Sequence, residues 1–392
     1  MTAAGIVAEY NPFHTGHAHH VKRTRELLGP DCAVVCVMSG HWVQRGECAL
    51  TDKWTRAAAA LRGGVDLVLE LPTVWACASA ESFARGAVEL LHATGVVDTL
   101  SFGSECADLS ALRRAASCLD EARYTQLLRD GVSAGLPFPV ARQKAVERLV
   151  GPEIASCLSR ANDNLGIEYL RALPNDMDAV TIPRIGVGHD GGTAGGFASA
   201  SHLRGLLRDG NTGEAAPYLT QSWTGPFADL SRIERAILAR VRAMDRADWA
   251  ALPDSGGAEG LPDRMKNAAA SARSLAQLLE EAKTKRYTLA RLRRLVTWAF
   301  LGLRAADRPA HPPYLRVLGC SLRGRSLLAQ MRASASLPVL TKPAHARVLP
   351  REARRLFELE SRCTDLYGLC FPQIQPCGLE WTTGPVVLRD AR

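Results

Sequence analysis

Through the first half of the chain, short apolar runs alternate with segments in which apolar residues recur at helical spacing. Residues 4–8, 33–38, 65–71, 99–102 and 179–182 have strand length and few polar positions, as strands covered on both faces require. Between them, 17–28, 51–61 and 79–91 read as helices. Thr51 is placed as an N-cap with Asp52 in the first turn, Gly63-Gly64 ends that helix, and Glu81 is placed for a capping box. Repeated strand-helix units without hairpin turn signals predict an α/β, Rossmann-like, doubly wound parallel sheet, with ligands at the carboxyl ends of its strands.

The pattern then changes. Residues 108–150 read as helices interrupted at Gly131 and at Gly135-Leu136-Pro137, and 164–170 open another helix. Beyond about 227 the alternation gives way to helices, marked by the stripes Leu230, Ile233, Ile237, Val241 and Leu289, Leu292, Leu295, Phe300. The expected organisation is an α/β domain over 1–226 followed by a mainly α-helical domain over 227–392, with 252–260 a mobile loop.

Charge sharpens that division. The net charge is +8, yet Lys283 to Arg355 alone holds 17 Lys and Arg against Asp307 and Glu352, a balance of +15 that leaves −7 for the rest. Such concentration argues for a polyanion, with nucleic acid the leading class. No apolar run reaches the roughly 18 residues of a membrane span, and the amino terminus has no basic, then apolar leader, so a cytoplasmic, membrane-free protein is expected. The eleven cysteines lack zinc-type close pairs, including Cys363, Cys370 and Cys377 at seven-residue intervals, so reduced thiols and no metal site are expected.

The candidate chemistry begins at Asn11-Pro12-Phe13-His14-Thr15-Gly16-His17, between the first strand and the first helix. A helix start offers free N–H groups and a positive dipole end to phosphate. Gly16 permits close approach, and His14 and His17 can donate to oxygens whose charge grows as an α-phosphate is attacked. Ser39, Gly40, Gln44 and Arg45 follow the second strand and are substrate-side candidates. Ser199, Ser201 and Arg204 at a later helix start can hold β- and γ-phosphates from the opposite side.

Asn11 to His17 resembles the H-x-G-H signature of the HIGH nucleotidyltransferase superfamily. Met38-Ser39-Gly40, Gln44-Arg45-Gly46-Glu47, Asp52-Lys53-Trp54, Glu70-Leu71-Pro72 and Phe102-Gly103-Ser104-Glu105 resemble the bacterial tRNA(Met) cytidine acetate ligases within it. The resemblance implies activation of acetate by ATP, with Mg²⁺, as acetyl-adenylate. It further implies acetyl transfer to the wobble cytidine of elongator tRNA(Met), giving N(4)-acetylcytidine and releasing AMP and pyrophosphate, with no stable protein partner.

Carried over position by position, ATP contacts fall at Val7, Ala8, Glu9, Tyr10, Asn11, Pro12, Phe13, His14, Thr15, Gly16, His17, Ala18, His19 and His20, and at Gly103, Asn164, Arg184 and Ile185. Catalysis is assigned to His14, His17, Ser199, Ser201 and Arg204, and tRNA binding to Arg291, Arg293 and Arg294. His41 and Cys48 depart from the family's pattern beside the site. A small-molecule adenylyltransferase, or an RNA-binding protein on a degenerate scaffold, are the alternatives. The intact histidine and Ser/Arg motifs oppose the second, and the long basic segment opposes the first.

Overall fold

A computed structural model of the chain describes residues 2–185, 192–256 and 260–388. Five parallel strands form the centre of its main sheet, in the spatial order Leu67–Leu71, Ala33–Ser39, Ala3–Ala8, Thr99–Ser104, Asp178–Pro183. The chain moves outward from the first strand to the third, then crosses to the other side for the fourth. The reversal opens a crevice between the carboxyl ends of Ala3–Ala8 and Thr99–Ser104, where such sheets take ligands.

The central strands are apolar because both faces are covered. Val34, Cys36 and Met38 pack with Ala57, Leu61 and Leu203 on one side, while Val35 and Val37 pack with Phe83, Leu91 and their neighbours on the other. This is the two-residue alternation of a strand buried twice. Among the described residues no helix is long and apolar enough to cross a membrane.

Three details differ from the sequence reading. Asp52, not Thr51, caps the helix Lys53–Arg62, its carboxylate accepting from Thr55 N–H at 2.8 Å, because Thr51 is drawn inward where its carbonyl accepts from Arg56 Nε. Ser79 caps Ala80–Ala93 by accepting from Ser82 N–H, and Ser82 rather than Glu81 holds the third position, so no capping box with Glu81 forms. Hairpins do occur, pairing Trp42–Val43 with Glu47–Cys48 and Thr193–Ala194 with Phe197–Ala198. Each strand spans two residues, too short to leave a period-two signal.

The helices Glu234–Arg242, Leu261–Ser271, Leu275–Ala282 and Leu289–Leu301 pack on one another, burying Ile237, Val241, Leu292 and Leu295 as their stripes predicted. Part of the loop assigned to 252–260, residues 257–259, lies outside the described residues, as does Gly186. The sheet, however, does not end where the strand-helix alternation ends near 226. Leu315–Cys320 joins it antiparallel to Leu67–Leu71, and then pairs with Val339–Leu340 and Val386–Val387. The carboxyl-terminal residues therefore complete the amino-terminal sheet as well as forming a helical layer.

A buried ionic knot fixes this return. Lys53 Nζ lies 2.6 Å from both Glu70 and Glu380, and Arg316 lies 3.4 Å from Glu380. Glu360 accepts from Thr73 N–H at 2.7 Å and from its hydroxyl at 2.8 Å. Three carboxyl groups face two cations, and burial, with Glu70 nearby, pushes Glu360 up to about 8 from the ordinary 4.5.

Two outcomes are expected. Lys53→Met leaves Glu70 and Glu380 without their shared ammonium and should cost about 3–5 kcal/mol in chemical denaturation. Because the folded chain keeps a proton on Glu360 that the unfolded chain releases, this group's stabilisation is complete below about 4.5 and is lost as pH rises through about 8. Glu360→Gln should flatten that decline in a pH series of denaturation curves.

Candidate active site

The helix Thr15–Leu28 begins with unpaired N–H groups, and imidazole nitrogens satisfy them. His14, the N-cap, accepts from Gly16 N–H at Nδ1 over 3.0 Å, and His17 Nδ1 accepts from His14 N–H at 3.3 Å. The two rings stack with centroids 3.8 Å apart. Since each Nδ1 is an acceptor, each ring carries its proton on Nε2 and presents an N–H donor away from the helix.

Burial pushes His14 down to about 4, with Arg184 and Arg204 adding to the shift, and burial and then His14 hold His17 well below the ordinary histidine range. Both are neutral donors at pH 7. Gly16 is required locally: a Cβ there would stand 2.9 Å from His14 Cε1 and 3.0 Å from its Nδ1, so the glycine makes room for the capping ring.

Tyr10 turns the chain out of the first strand at φ +47° and packs edge-on against Phe13 and His17. Phe13 is fully buried, against Gly63, where any Cβ would strike its ring. Of the motif's residues, Val7 to Asn11, His14, Gly16, His17, His19 and His20 line a cleft, whereas Pro12, Phe13, Thr15 and Ala18 hold the turn from behind.

The second motif docks directly onto the first. Ser199 caps Ala200–Arg208 by accepting from His202 N–H, and Arg204 donates to the Asn11 carbonyl at 2.9 Å and to Ser201 Oγ at 3.1 Å. Ser199 and Arg204 line the cleft with the histidines, while Ser201 orients the guanidinium from beside it.

Gly103, Arg184 and Ile185, where the resemblance implies ATP contacts, line the same cleft. Asn164 does not line the cleft. Asn162, two residues earlier at the start of Ala161–Ala172, takes that place and accepts from Arg184 at 3.4 Å. Glu105 fixes it by accepting from Asn162 Nδ2 at 2.5 Å, and Asp163 pins the same loop by accepting from Ser104 Oγ at 2.5 Å and Glu105 N–H at 2.8 Å. The signal available in the sequence was the polar Asn162-Asp163 pair at a helix start.

The substrate-side candidates divide. Gln44 and Arg45 line the cleft, and Gln44 N–H donates to Glu9 at 2.8 Å. Ser39 and Gly40 lie beneath it, their carbonyls accepting from the buried Arg56, and a Cβ on Gly40 would stand 2.6 Å from Glu70. His41 stacks on Tyr367 with centroids 4.3 Å apart, and Cys48 is buried, so both belong to the base of the hairpin rather than to the cleft.

The arginine trio is not an open surface. Arg293 pairs with Glu47 at 2.8 Å, Arg294 with Asp254 at 3.4 Å, and Arg291 donates to the Asp254 carbonyl at 2.7 Å while lying over Tyr287. Gly46, at φ +74°, packs against the Arg293 backbone, and Thr297 donates to its carbonyl at 2.9 Å. The helix Leu289–Leu301 thus seats the hairpin that carries Gln44 and Arg45 into the cleft. Charge reversal there would set Glu against Glu47, so this trio is coupled to the hairpin beside the cleft.

Among the described residues one group could gather a metal ion, Cys106, Cys157 and Asp163, and its carboxylate is already occupied by the loop bonds just described. Cys363 and Cys370 are buried and Cys377 is exposed.

Neutral imidazole donors at a helix start, an arginine docked from a second helix and a third wall bearing Arg184 make a site for a polyanion with a reacting phosphate. A model of the HIGH Nucleotidyl Transferase family matches residues 1–379. The tRNA(Met) cytidine acetate ligase of Syntrophotalea carbinolica is 39% identical, covering 95% of each chain, and that of Acetivibrio thermocellus is 33% identical, covering 99% of this chain and 100% of the other. Crystal structures of Thermotoga maritima TmcAL superpose with TM-scores of 0.92 for the apo form and 0.91 for the form bound with alpha-thio ATP, each at 33% identity over 99% of this chain and 100% of that one. The chain belongs to the tRNA(Met) cytidine acetate ligase family of HIGH nucleotidyl transferases.

The protonation state yields a direct check. With burial holding His14 down to about 4, its ring resonances in an NMR titration should stay constant from pH 8 to about 6 and move only in more acidic solution. Titration near the ordinary histidine value would show that the ring is not held as described.

Proposed function

We propose that this protein is a tRNA(Met) cytidine acetate ligase, acting in the cytoplasm. The observation that carries the reading is the pair of backbone-locked imidazoles, His14 and His17, facing Arg204 and Arg184 across one cleft.

In the first half-reaction an acetate oxygen attacks the α-phosphorus of ATP, the bond to the bridging oxygen breaks, and pyrophosphate leaves. No protein nucleophile is needed. Charge grows on the phosphoryl oxygens and on the leaving group, and the Nε2–H donors meet the former without reorganising. Arg204, tied to the Asn11 carbonyl, and Ser199 at its helix start favour pyrophosphate on the other flank.

In the second half-reaction the exocyclic amine of the wobble cytidine attacks the acetyl carbonyl, loses a proton, and expels AMP. The basic segment from Lys283 to Arg355 supports a tRNA as the carrier of that cytidine, with Arg291, Arg293 and Arg294 beside the hairpin that brings Arg45 to the cleft. Mg²⁺ enters this reading as the counter-ion of the polyphosphate. Among the described residues Glu9 is the one carboxylate lining the cleft and already accepts from Gln44, so phosphate and water are the main ligands available to the cation.

Purified protein should release AMP and pyrophosphate from ATP in the presence of acetate and tRNA. His14→Ala and His17→Ala should each lower that turnover by about a hundredfold to a thousandfold, the range for losing one such donor. Nucleoside mass spectrometry of tRNA from cells lacking the protein should show loss of N(4)-acetylcytidine. Retained modification, or near-normal turnover in both variants, would overturn the assignment.

A further inference from the structure

A further imidazole of the cleft, that of His20, is held the opposite way round. His20 Nε2 lies 3.0 Å from Ser101 Oγ, Ser101 Oγ lies 2.7 Å from Thr24 Oγ1, and Thr24 Oγ1 donates to the His20 carbonyl at 2.9 Å. Thr24 and Ser101 are fully buried.

Three contacts require three protons, and two hydroxyls supply two. The carbonyl has none to give, so Thr24 spends its proton there and Ser101 spends its own on Thr24. Nε2 must then carry the third. Any other arrangement sets two lone pairs against each other inside the core, at the cost of an unsatisfied buried group.

His20 Nδ1 is therefore bare. Among the described residues nothing donates to it, and His20 lines the cleft. Burial, with Arg184 beside it, pushes the ring down to about 4, so it does not gain a second proton near neutrality. One wall thus offers N–H donors from His14 and His17, and one helical turn further on offers an acceptor.

We propose that His20 Nδ1, fixed as an acceptor by Ser101 and Thr24, receives a hydrogen bond from an N–H or O–H of the nucleoside half of the bound nucleotide. His20 is then a specificity-determining residue, and Ser101 and Thr24 are positioning residues. The inference rests on the nucleotide reading given above. An ionised triphosphate presents only acceptor oxygens, which a lone pair repels, whereas the nucleoside carries an exocyclic amine and two ribose hydroxyls. Placement agrees, since Ser101 and Gly103 lie two residues apart on the strand Thr99–Ser104, hence on one side of it, and Gly103 lines the cleft with Ile185.

The test pairs nitrogen-15 NMR of the histidines with pyrophosphate release, in the presence of acetate and tRNA, from ATP, purine riboside triphosphate, 2′-deoxyATP and 3′-deoxyATP, each analogue lacking one donor. Wild-type protein should show Nε2 protonated in His20 and should penalise one of the three analogues by about tenfold in kcat/KM. His20→Phe should abolish that penalty while leaving the order of the other two analogues unchanged. Ser101→Ala and Thr24→Val should show mixed protonation of His20 and a reduced penalty, which loss of packing alone would not produce.

A proton on Nδ1 in the wild type, equal use of all three analogues, or a penalty that survives His20→Phe would overturn the inference. If His20→Phe does not fold, the Ser101→Ala spectrum and analogue ratios decide alone. Failure of the ligase reading looks different: wild-type protein would release neither AMP nor pyrophosphate from ATP in the presence of acetate and tRNA.

Discussion

A helix start must satisfy N–H groups that have no partner within the helix, and here imidazole nitrogens do so. Once His14 Nδ1 takes the Gly16 N–H and His17 Nδ1 takes the His14 N–H, the tautomer of each ring is decided and each Nε2–H faces the cleft. A hydroxyl or carboxylate cap would satisfy the same backbone but would put a charge or a freely rotating donor in that place. Folding of the helix and preparation of the donors are one event, which is why Gly16, Tyr10 and the buried Phe13 are all committed to holding the turn.

From that turn the rest of the site is built by backbone-directed arginines. Arg204 reaches the Asn11 carbonyl from a helix nearly two hundred residues away, and buried Arg56 collects the carbonyls of Glu9, Ser39 and Thr51. These bonds read the positions of main-chain atoms, so they tie the ends of the first two strands to one another whatever their side chains. The hairpin bearing Gln44 and Arg45 is seated in a different way, by the close fit of Gly46 against the helix Leu289–Leu301 and by the Arg293–Glu47 pair. The helical layer is thereby coupled mechanically to the cleft.

The buried knot of Lys53, Glu70, Glu360, Glu380 and Arg316 joins the two ends of the chain at the opposite edge of the sheet. Removing one member is expensive because its partners stay buried and charged, while a fully apolar replacement would not fix which carboxylate faces which strand. Glu70 also floors Gly40 beneath the cleft, so the closure of the sheet and the level of the active-site loop depend on the same carboxylate.

The sequence by itself determined the five parallel strands and the histidine motif, since each rests on local signals: apolar runs bounded by turns, helical periodicity, and residue types next to a helix start. Gly103, Arg184, Ile185 and Arg204, singled out in the sequence, line the same cleft as the histidines. Tertiary structure alone decided what depends on contacts between distant residues. Leu315–Cys320 reads as one more apolar run until it is seen antiparallel on Leu67–Leu71, and Arg291, Arg293 and Arg294 read as an exposed basic face until Glu47 and Asp254 are found against them. Asn162 rather than Asn164, the position the family resemblance implied, lines the cleft because the phase of the helix Ala161–Ala172 on the sheet sets which side chain faces inward. The opposed settings of His14 and His17 on the one hand and His20 on the other were the least legible feature: all three rings carry the proton on Nε2, and the hydrogen-bond partner decides which nitrogen is left to the cleft, which for His20 is Ser101, 81 residues away.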